Sequence, residues 1–326
     1  MRVLLPHKCP NCQFILDESM EICPNCGTYV KEFDEESDSE RFTFSFFLTE
    51  AFMSIFNPEA VKMEPDEAVY RKRQHKPLYL YLILAEVMVC LGLSLGYGNS
   101  WMRNIGFTVA SFATPLIYMY WMMQNDRYEP EPKTLVVYLF AWGMIAGIIS
   151  RYFNPKIVAY VGIGGAAFVE EPLKLLGVYL LSTGRKTGYE MNNHLDGMVY
   201  GAAAGAGFAA LENIYYINYM VIGRGSPLLS AILFRATTSF CHIAWTAIAG
   251  RSLGLARALK GWIHWSNFIP GLIIVIPLHY FWNSFPLMLR GWFILPITIL
   301  ILYREVDMAL KDEMRWGYET LAPDEA

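Results

Sequence analysis

Charged residues are scarce in this chain of 326 residues. Asp, Glu, Lys and Arg make up 17% of it, whereas about a quarter is usual for a soluble domain. Hydrophobic residues reach 54%, and the mean hydropathy is +0.28. The shortage of charge argues against a soluble globular protein and predicts an all-α polytopic membrane protein.

The chain also lacks the sequence features of a secreted protein. The segment from Met1 to Pro10 has no apolar core before the first cysteine, so we expect no secretory signal. The 6 cysteines do not form a secreted disulfide framework, because four cluster near the N-terminus and Cys90 and Cys241 fall within apolar segments. The formal charge of −4 indicates no class of partner, because acids and bases are segregated along the chain, and no nucleic-acid partner is expected.

The four clustered cysteines form two Cys-Pro-Asn-Cys knuckles, with ligands Cys9, Cys12, Cys23 and Cys26. Four thiolates at this spacing can hold one Zn²⁺ tetrahedrally, although the gap between the knuckles is shorter than in common zinc ribbons. We predict a small zinc ribbon over residues 1–30, which depends on the metal for folding and contacts a protein partner. The alternatives are a redox dithiol pair and two disulfides.

Residues 31–77 link this ribbon to the apolar part of the chain. Residues 31–41 carry six acids and read as a solvated linker. Residues 42–56 have apolar side chains at helical spacing but are too short to span a bilayer. This segment would lie in the membrane interface or pack on the bundle, and its lack of basic residues favours packing.

Residues 78–304 form the predicted transmembrane domain, followed by a cytoplasmic tail over 305–326. About eight segments are apolar enough to cross the lipid bilayer: 78–97, 105–123, 134–150, 157–181, 196–219, 228–250, 268–288 and 291–304. Placing the N-terminus inside assigns fourteen Lys and Arg residues to inner connections and five to outer ones, namely Arg103, Arg151, Lys156, Arg224 and Arg290. This bias predicts a multi-pass protein of the cell membrane with both termini in the cytoplasm.

Several of these segments contain polar residues that are costly in lipid. Glu170, Glu171 and Lys174 lie within five residues of each other in one span. They could be an ion pair that neutralises itself between packed helices, or part of a reaction site. Three further spans carry polar groups: one has the adjacent residues Glu212 and Asn213, and the other two have pairs on one helical face, Arg235 with His242 and His279 with Asn283.

The span that contains Glu212 also carries Gly201 and Gly205 at an i, i+4 spacing. Small residues at this spacing let a second helix approach closely. The polar groups of the four spans could therefore meet in one buried cavity. Carboxylates and imidazoles there could activate water, carry protons or ions through a transporter, or bind a metal. Glu212 alone could instead be a structural acid.

The ordered set of motifs resembles the PrsW family of intramembrane proteases over residues 78–303. The set is Glu170-Glu171-x-x-Lys174, Phe208-x-x-x-Glu212, His242 and His279-x-x-x-Asn283, with the loop from Asp126 to Lys133 and the pair Asp196-Gly197. The related CAAX prenyl endopeptidases have His where this chain has Glu212, and Arg where it has Lys174. Both differences favour the PrsW family.

The resemblance implies hydrolysis of a peptide bond in a membrane-associated protein. Glu170 or Glu171 would be the general base, and the other glutamate together with Lys174 would set its pKa. Glu212 and His242 would orient water or bind a metal. His279 and Asn283 would stabilise the oxyanion. The family is linked to cleavage of membrane-anchored anti-sigma factors, but the ribbon is not part of its pattern. The rivals are a CAAX-type prenyl endopeptidase and a non-enzymatic proton-coupled carrier or scaffold; a carrier would show internal repeats, which the chain lacks.

Overall fold

The computed structural model describes residues 7–8, 15–16, 100–126, 131–184, 187–260 and 263–313. Several predictions concern residues outside these ranges. They are the four ribbon cysteines, the linker over 31–41, the segment over 42–56, the span over 78–97 and most of the tail. Near the N-terminus, β1 (His7–Lys8) pairs antiparallel with β2 (Ile15–Leu16), with His7 opposite Leu16.

The rest of the described chain is helical, which confirms the predicted class for this part of the protein. Seven helices follow one another: α1 Ser100–Asn125, α2 Lys133–Val161, α3 Ala167–Thr183, α4 His194–Asn218, α5 Leu228–Lys260, α6 Phe268–Ser284 and α7 Leu295–Glu313. Short 3-10 turns lie at Ile163–Ala166, Thr187–Glu190 and Trp265–Asn267, and π turns at Tyr219–Gly223 and Arg290–Ile294. One further helical turn is Leu287–Leu289.

Helix α4 is the centre of the bundle and packs mainly against α5, α2 and α1. A Cβ atom on Gly201 would overlap the carbonyl oxygen of Thr246 in α5, and one on Gly205 would lie 2.7 Å from that of His242. Gly207 meets the carbonyl oxygen of Phe140 in α2 in the same way. The small-residue face predicted from Gly201 and Gly205 is therefore confirmed, and it brings α4 against the backbone of α5 beside His242.

The predicted break between the spans 134–150 and 157–181 is wrong. Helix α2 continues through Pro155 to Val161, and the chain turns at Gly162, which has φ 78°. Glycine adopts this left-handed conformation readily, whereas the proline removes one backbone hydrogen bond without ending the helix. The residues between Arg151 and Lys156, predicted as an outer connection, are thus helical.

The two last predicted spans also shift. Helix α6 ends at Ser284 instead of residue 288, because Phe285 is extended ahead of Pro286. Helix α7 begins at Leu295 after a π turn and runs to Glu313, beyond the predicted end at residue 304.

Two described helices are long and apolar enough to cross a membrane, over Lys133–Val161 and Leu228–Ala258. The buried core helix of a soluble protein passes the same test, so this finding alone is weak evidence for a membrane location. Helices α3 and α6 have 17 residues each. The predicted count of eight spans is therefore not confirmed.

Candidate active site

The first two turns of α3 carry three buried ionisable side chains. Glu170 is 4% exposed, Glu171 is 1% exposed and Lys174 is inaccessible. The indole nitrogen of Trp142 in α2 donates to the carbonyl oxygen of Leu173, 2.9 Å away. This bond ties the start of α3 to α2, so the charged groups face the inside of the bundle.

Glu171 is held by an ion pair and by an imidazole. Its Oε1 accepts from Lys174 Nζ at 2.7 Å and lies 2.6 Å from Nδ1 of His279 in α6. A carboxylate oxygen accepts only, so Nδ1 of His279 carries a hydrogen, and in the neutral imidazole its Nε2 has a free lone pair.

Glu170 presents one free oxygen to that lone pair. Its Oε1 accepts from the side-chain amide of Asn154 at 2.6 Å. Its Oε2 is buried, has no hydrogen-bond partner among the described residues, and lies 3.6 Å from Nε2 of His279. With neutral His279 and ionised Glu170, these two buried atoms both present lone pairs and repel each other unless a positive species, a proton or a metal ion, lies between them.

His242 joins Lys174 to Glu212. Its Nδ1 lies 3.2 Å from Lys174 Nζ, and its Nε2 lies 3.0 Å from Glu212 Oε2. An ammonium group only donates, so Nδ1 is the acceptor and Nε2 donates to the carboxylate. Helices α3, α4 and α5 therefore share one polar network.

Glu212 lies at the open edge of this network, with its side chain 21% exposed. Arg235 Nη2 donates to its Oε2 at 2.9 Å, and Arg235 Nε donates to Asn213 Oδ1 at 2.7 Å. Asn213 in turn donates to Ser239 Oγ at 3.0 Å and to the carbonyl oxygen of Ser111 at 3.1 Å. Arg235, noted in the sequence for sharing a face with His242, thus offsets the charge of Glu212.

Aromatic rings enclose the two imidazoles. The Phe208 ring lies 5.1 Å from that of His242 and 4.9 Å from Lys174 Nζ. The Trp245 ring stacks on His279 at 4.8 Å, and its indole nitrogen donates to Thr298 Oγ1 of α7 at 3.0 Å. Trp245 was not predicted from the sequence, although it follows His242 by three residues and so shares its helical face.

Six of the seven predicted catalytic residues meet in this cluster: Glu170, Glu171, Lys174, Glu212, His242 and His279. The seventh, Asn283, follows His279 by one helical turn. Within the described residues no hydrogen bond joins its side chain to the others, and its carbonyl oxygen accepts from Arg290 Nη2 at 3.2 Å. Asn154 was missed because residues 151–156 were predicted to be a connection.

The cluster has the ligands for a metal ion. One ligand atom each of Glu170, His242 and His279 lies within 4.8 Å of the other two, and all three residues are buried. Two imidazoles and one carboxylate are a usual set for catalytic zinc, and bonds of about 2.0–2.1 Å place tetrahedral ligands ~3.4 Å apart. The facing atoms of Glu170 and His279, 3.6 Å apart, fit that spacing closely.

A second group of buried acids lies near the start of α4. Asp126, Glu131 and Asp196 also bring carboxylate oxygens within 4.8 Å of one another. Tyr200 donates a hydrogen bond to Glu131 Oε2, and Asp196 Oδ2 accepts the backbone N–H groups of Asn192 and Asn193. Asp126 and Asp196 belong to the segments that the family resemblance includes.

Comparison with known proteins supports the enzyme class that this cluster suggests. A family model described as "PrsW family intramembrane metalloprotease" matches residues 131–304, which is more than half of the chain and includes the whole cluster. The chain belongs to the PrsW family. It is therefore a membrane protein and an intramembrane protease, which acts on a protein substrate.

Two curated proteins of this family are similar to the chain. Protease PrsW of Bacillus subtilis (strain 168) is 28% identical over 178 residues, covering 50% of this chain and 77% of that protein. Protease PrsW of Geobacillus kaustophilus (strain HTA426) is 27% identical over 203 residues, covering 60% and 75%. No solved structure matches the chain. The family match favours a PrsW protease over the CAAX-type endopeptidase and over a carrier or scaffold.

Proposed function

We propose that this PrsW protease cleaves its substrate at a metal centre held by Glu170, His242 and His279. The observation that carries the proposal is that Glu170 Oε2 and His279 Nε2 face each other, buried and 3.6 Å apart, with His242 within ligand distance of both. A divalent cation between them removes their repulsion. A nitrogen of His242 that binds the metal must release either Lys174 or Glu212, which are its present partners.

A metal bound there would act as a Lewis acid toward the scissile carbonyl and toward water. The protein residues would have separate roles. Glu171 accepts the Nδ1 hydrogen of His279 and so keeps Nε2 directed at the site, as carboxylates commonly do for metal-binding histidines. Glu212, the most exposed of the three glutamates, would take the proton from the attacking water. Lys174 would hold Glu171 and His242 in place through its two hydrogen bonds, and Asn283 stays the sequence-based candidate for stabilising the developing negative charge.

A metal-free glutamate mechanism is the second candidate, and the same free oxygen favours it. In that case Glu170 Oε2 would accept the proton from water directly, with His279 as its neighbour. The roles of Glu171 and Lys174 as an ion pair would be unchanged.

Metal content and inhibition by chelators distinguish the two mechanisms. The measurements use the full-length protein with Cys23→Ser and Cys26→Ser. These substitutions remove two of the four predicted ribbon ligands, so we assign the zinc that remains bound to the membrane domain. We expect about one equivalent, loss of activity on chelation, and recovery on adding zinc. Full activity in protein without metal would reject the metal centre and favour Glu170 as the base.

We further propose that the substrate is a protein anchored in the same membrane, and that this chain spans the membrane several times with both termini in the cytoplasm. The distribution of Lys and Arg supports the orientation. Reporter fusions after Glu40 and after Pro323 should both report a cytoplasmic location. Membrane proteomes with wild type and with Glu171→Gln should differ in one or a few cleaved proteins; identical proteomes would contradict the substrate class.

The zinc ribbon over residues 1–30 is a separate proposal, supported by the two Cys-Pro-Asn-Cys knuckles. The short pairing of β1 with β2 on either side of Cys9 and Cys12 suits a knuckle hairpin. Freshly purified wild type should contain one more zinc than the Cys23→Ser, Cys26→Ser protein. Equal zinc contents would remove the ribbon proposal, and cleavage of a short test substrate should survive the substitutions.

A further inference from the structure

Asn154 is a polar residue on a stretch of α2 that is otherwise largely exposed. Its neighbours Phe153 and Pro155 both face outward, whereas Asn154 is half-buried. Its side-chain amide reaches Glu170, sixteen residues further along the chain, and donates to Oε1 at 2.6 Å. The bond therefore joins the far end of α2 to the metal-binding cluster.

This bond decides which oxygen of Glu170 faces His279. Oε1 is occupied by the donor from Asn154, and Oε2 is left free toward His279 Nε2. Without the amide, both oxygens would be free and the carboxylate could rotate about its terminal torsion, which has a broad and shallow energy profile. An ordered ligand loses less entropy when it binds a metal.

The end of α2 is fixed to the same helix that carries His279. The Tyr280 hydroxyl donates to the carbonyl oxygen of Val161 at 3.2 Å. Gly164, in the turn after α2, lies so close to Tyr280 and Ser284 that a side chain there would overlap both. The helix that carries Asn154 is thus held against the helix that carries His279. The hydrogen bond from Asn154 therefore fixes the orientation of the Glu170 carboxylate relative to His279.

We propose that Asn154 is a positioning residue that orients Glu170 for metal binding. This inference rests on the proposed metal centre. Hydrogen-bond partners of metal ligands typically contribute about 10–100-fold to metal affinity. Asn154 would therefore act on metal affinity and kcat through Glu170, without touching the substrate.

The test measures zinc affinity and cleavage in the full-length chain with Cys23→Ser and Cys26→Ser, so that zinc reports on the membrane domain. Asn154→Leu keeps the approximate volume and removes the donor. Asn154→Asp keeps the shape and also removes it. We expect both variants to bind zinc about 10–100-fold more weakly, with a lower kcat and an unchanged KM.

The matched control is Asn218→Leu. Asn218 is also partly buried on a helix, but among the described residues its amide donates to the carbonyl oxygen of Ile214 in its own helix, at 2.7 Å, and to no other group. Zinc affinity and kcat of this variant should equal those of the parent protein. A comparable loss of zinc there would indicate a general effect of removing an asparagine and would overturn the inference.

A double-mutant cycle separates positioning from a merely structural role. Glu170→Gln lowers zinc affinity by itself, and adding Asn154→Leu should lower it little further, because the group that Asn154 orients is no longer a ligand. Additive losses would overturn the inference. So would parent-like affinity in both Asn154 variants while Glu170→Gln and His279→Gln lose zinc. Parent-like affinity in all of these variants would reject the metal centre itself, and Asn154's role with it.

Discussion

The two ends of α4 carry carboxylates in different surroundings. Asp196 lies in its first turn and Glu212 lies sixteen residues later, ~24 Å along the axis at 1.5 Å per residue. Asp196 accepts two backbone N–H groups in a capping box with Asn193. Glu212 instead meets an arginine and an imidazole.

The difference shows how partners decide what a buried acid can do. At the start of α4, the carboxylate oxygen accepts the backbone N–H groups of the N-cap residue Asn193 and of Asn192 before it, so it stabilises the entry of the chain into the helix. At the other end, one partner is the His242 imidazole, which can exchange a proton or bind a ligand, and the other is Arg235, which offsets the charge of Glu212. Chemistry is therefore expected at the end with His242 and His279, and stability at the end with Asp196.

The largest effect should come from the glutamates of the catalytic end. Glu170→Gln, Glu171→Gln and Glu212→Gln keep volume and hydrogen bonding but remove the carboxylate, so each should lower kcat by ~10²–10⁴. Expression and folding should remain near wild type, and double variants should fall little further because the groups act as a unit. Turnover per folded molecule is measured on a membrane-anchored substrate.

A purely structural Glu–Lys pair predicts the opposite pattern. Glu171→Gln would then strand Lys174 without a counter-charge and destabilise the protein by roughly 3–5 kcal/mol. The amount of folded protein would fall while each folded molecule cleaved normally. Normal turnover in all three variants, after correction for protein level, would remove the proposed mechanism.

A smaller effect is expected at Arg235. Arg235→Gln removes the charge that offsets Glu212 but leaves a donor, so kcat should fall about 10–100-fold, as for loss of a charge-assisted hydrogen bond of ~1.5–3 kcal/mol. Arg235→Lys should recover part of this loss. Equal rates in wild type and Arg235→Gln would show that Glu212 needs no counter-charge.

The close approach of α4 to α5 can be tested at Gly201. Gly201→Val would force its side chain against the carbonyl oxygen of Thr246 and destabilise the protein by ~1–3 kcal/mol. Because α5 also carries His242, turnover should fall as well. Thermal unfolding and turnover are measured together, and an unchanged melting temperature would contradict the tight contact.

The smallest effect should be found at the capping end. Asn193→Ala removes the acceptor for the N–H groups of Leu195 and Asp196 and should cost about 0.5–2 kcal/mol of stability. Turnover per folded molecule should stay at the wild-type value. A loss of turnover as large as that of Glu212→Gln would remove the contrast between the two ends of α4.

Much of the site was accessible to sequence reasoning. Ionisable side chains are rare in apolar helices, so six of the site residues stand out in the sequence: Glu170, Glu171, Lys174, Glu212, His242 and His279. Gly201 and Gly205 predicted the close helix contact because they are small residues one helical turn apart. Such signals depend only on composition and on the 3.6-residue repeat of the helix.

Other features depend on contacts that local sequence does not encode. Asn154 was hidden because a helix boundary was placed before Pro155, although α2 continues to Val161. Trp245 resembles any core aromatic residue until its stacking on His279 is seen. Asn283, paired with His279 by spacing, has its side chain outside the hydrogen-bonded cluster of the described residues.

The sequence by itself determined the helical class, the membrane character and the residues that must avoid lipid, because burying charge is costly wherever it occurs in the chain. Only the tertiary structure decided which atoms of those residues meet. The direction of a carboxylate oxygen, such as Glu170 Oε2, depends on a donor from another helix. The free nitrogen of His279 likewise depends on Glu171, more than one hundred residues away in the chain.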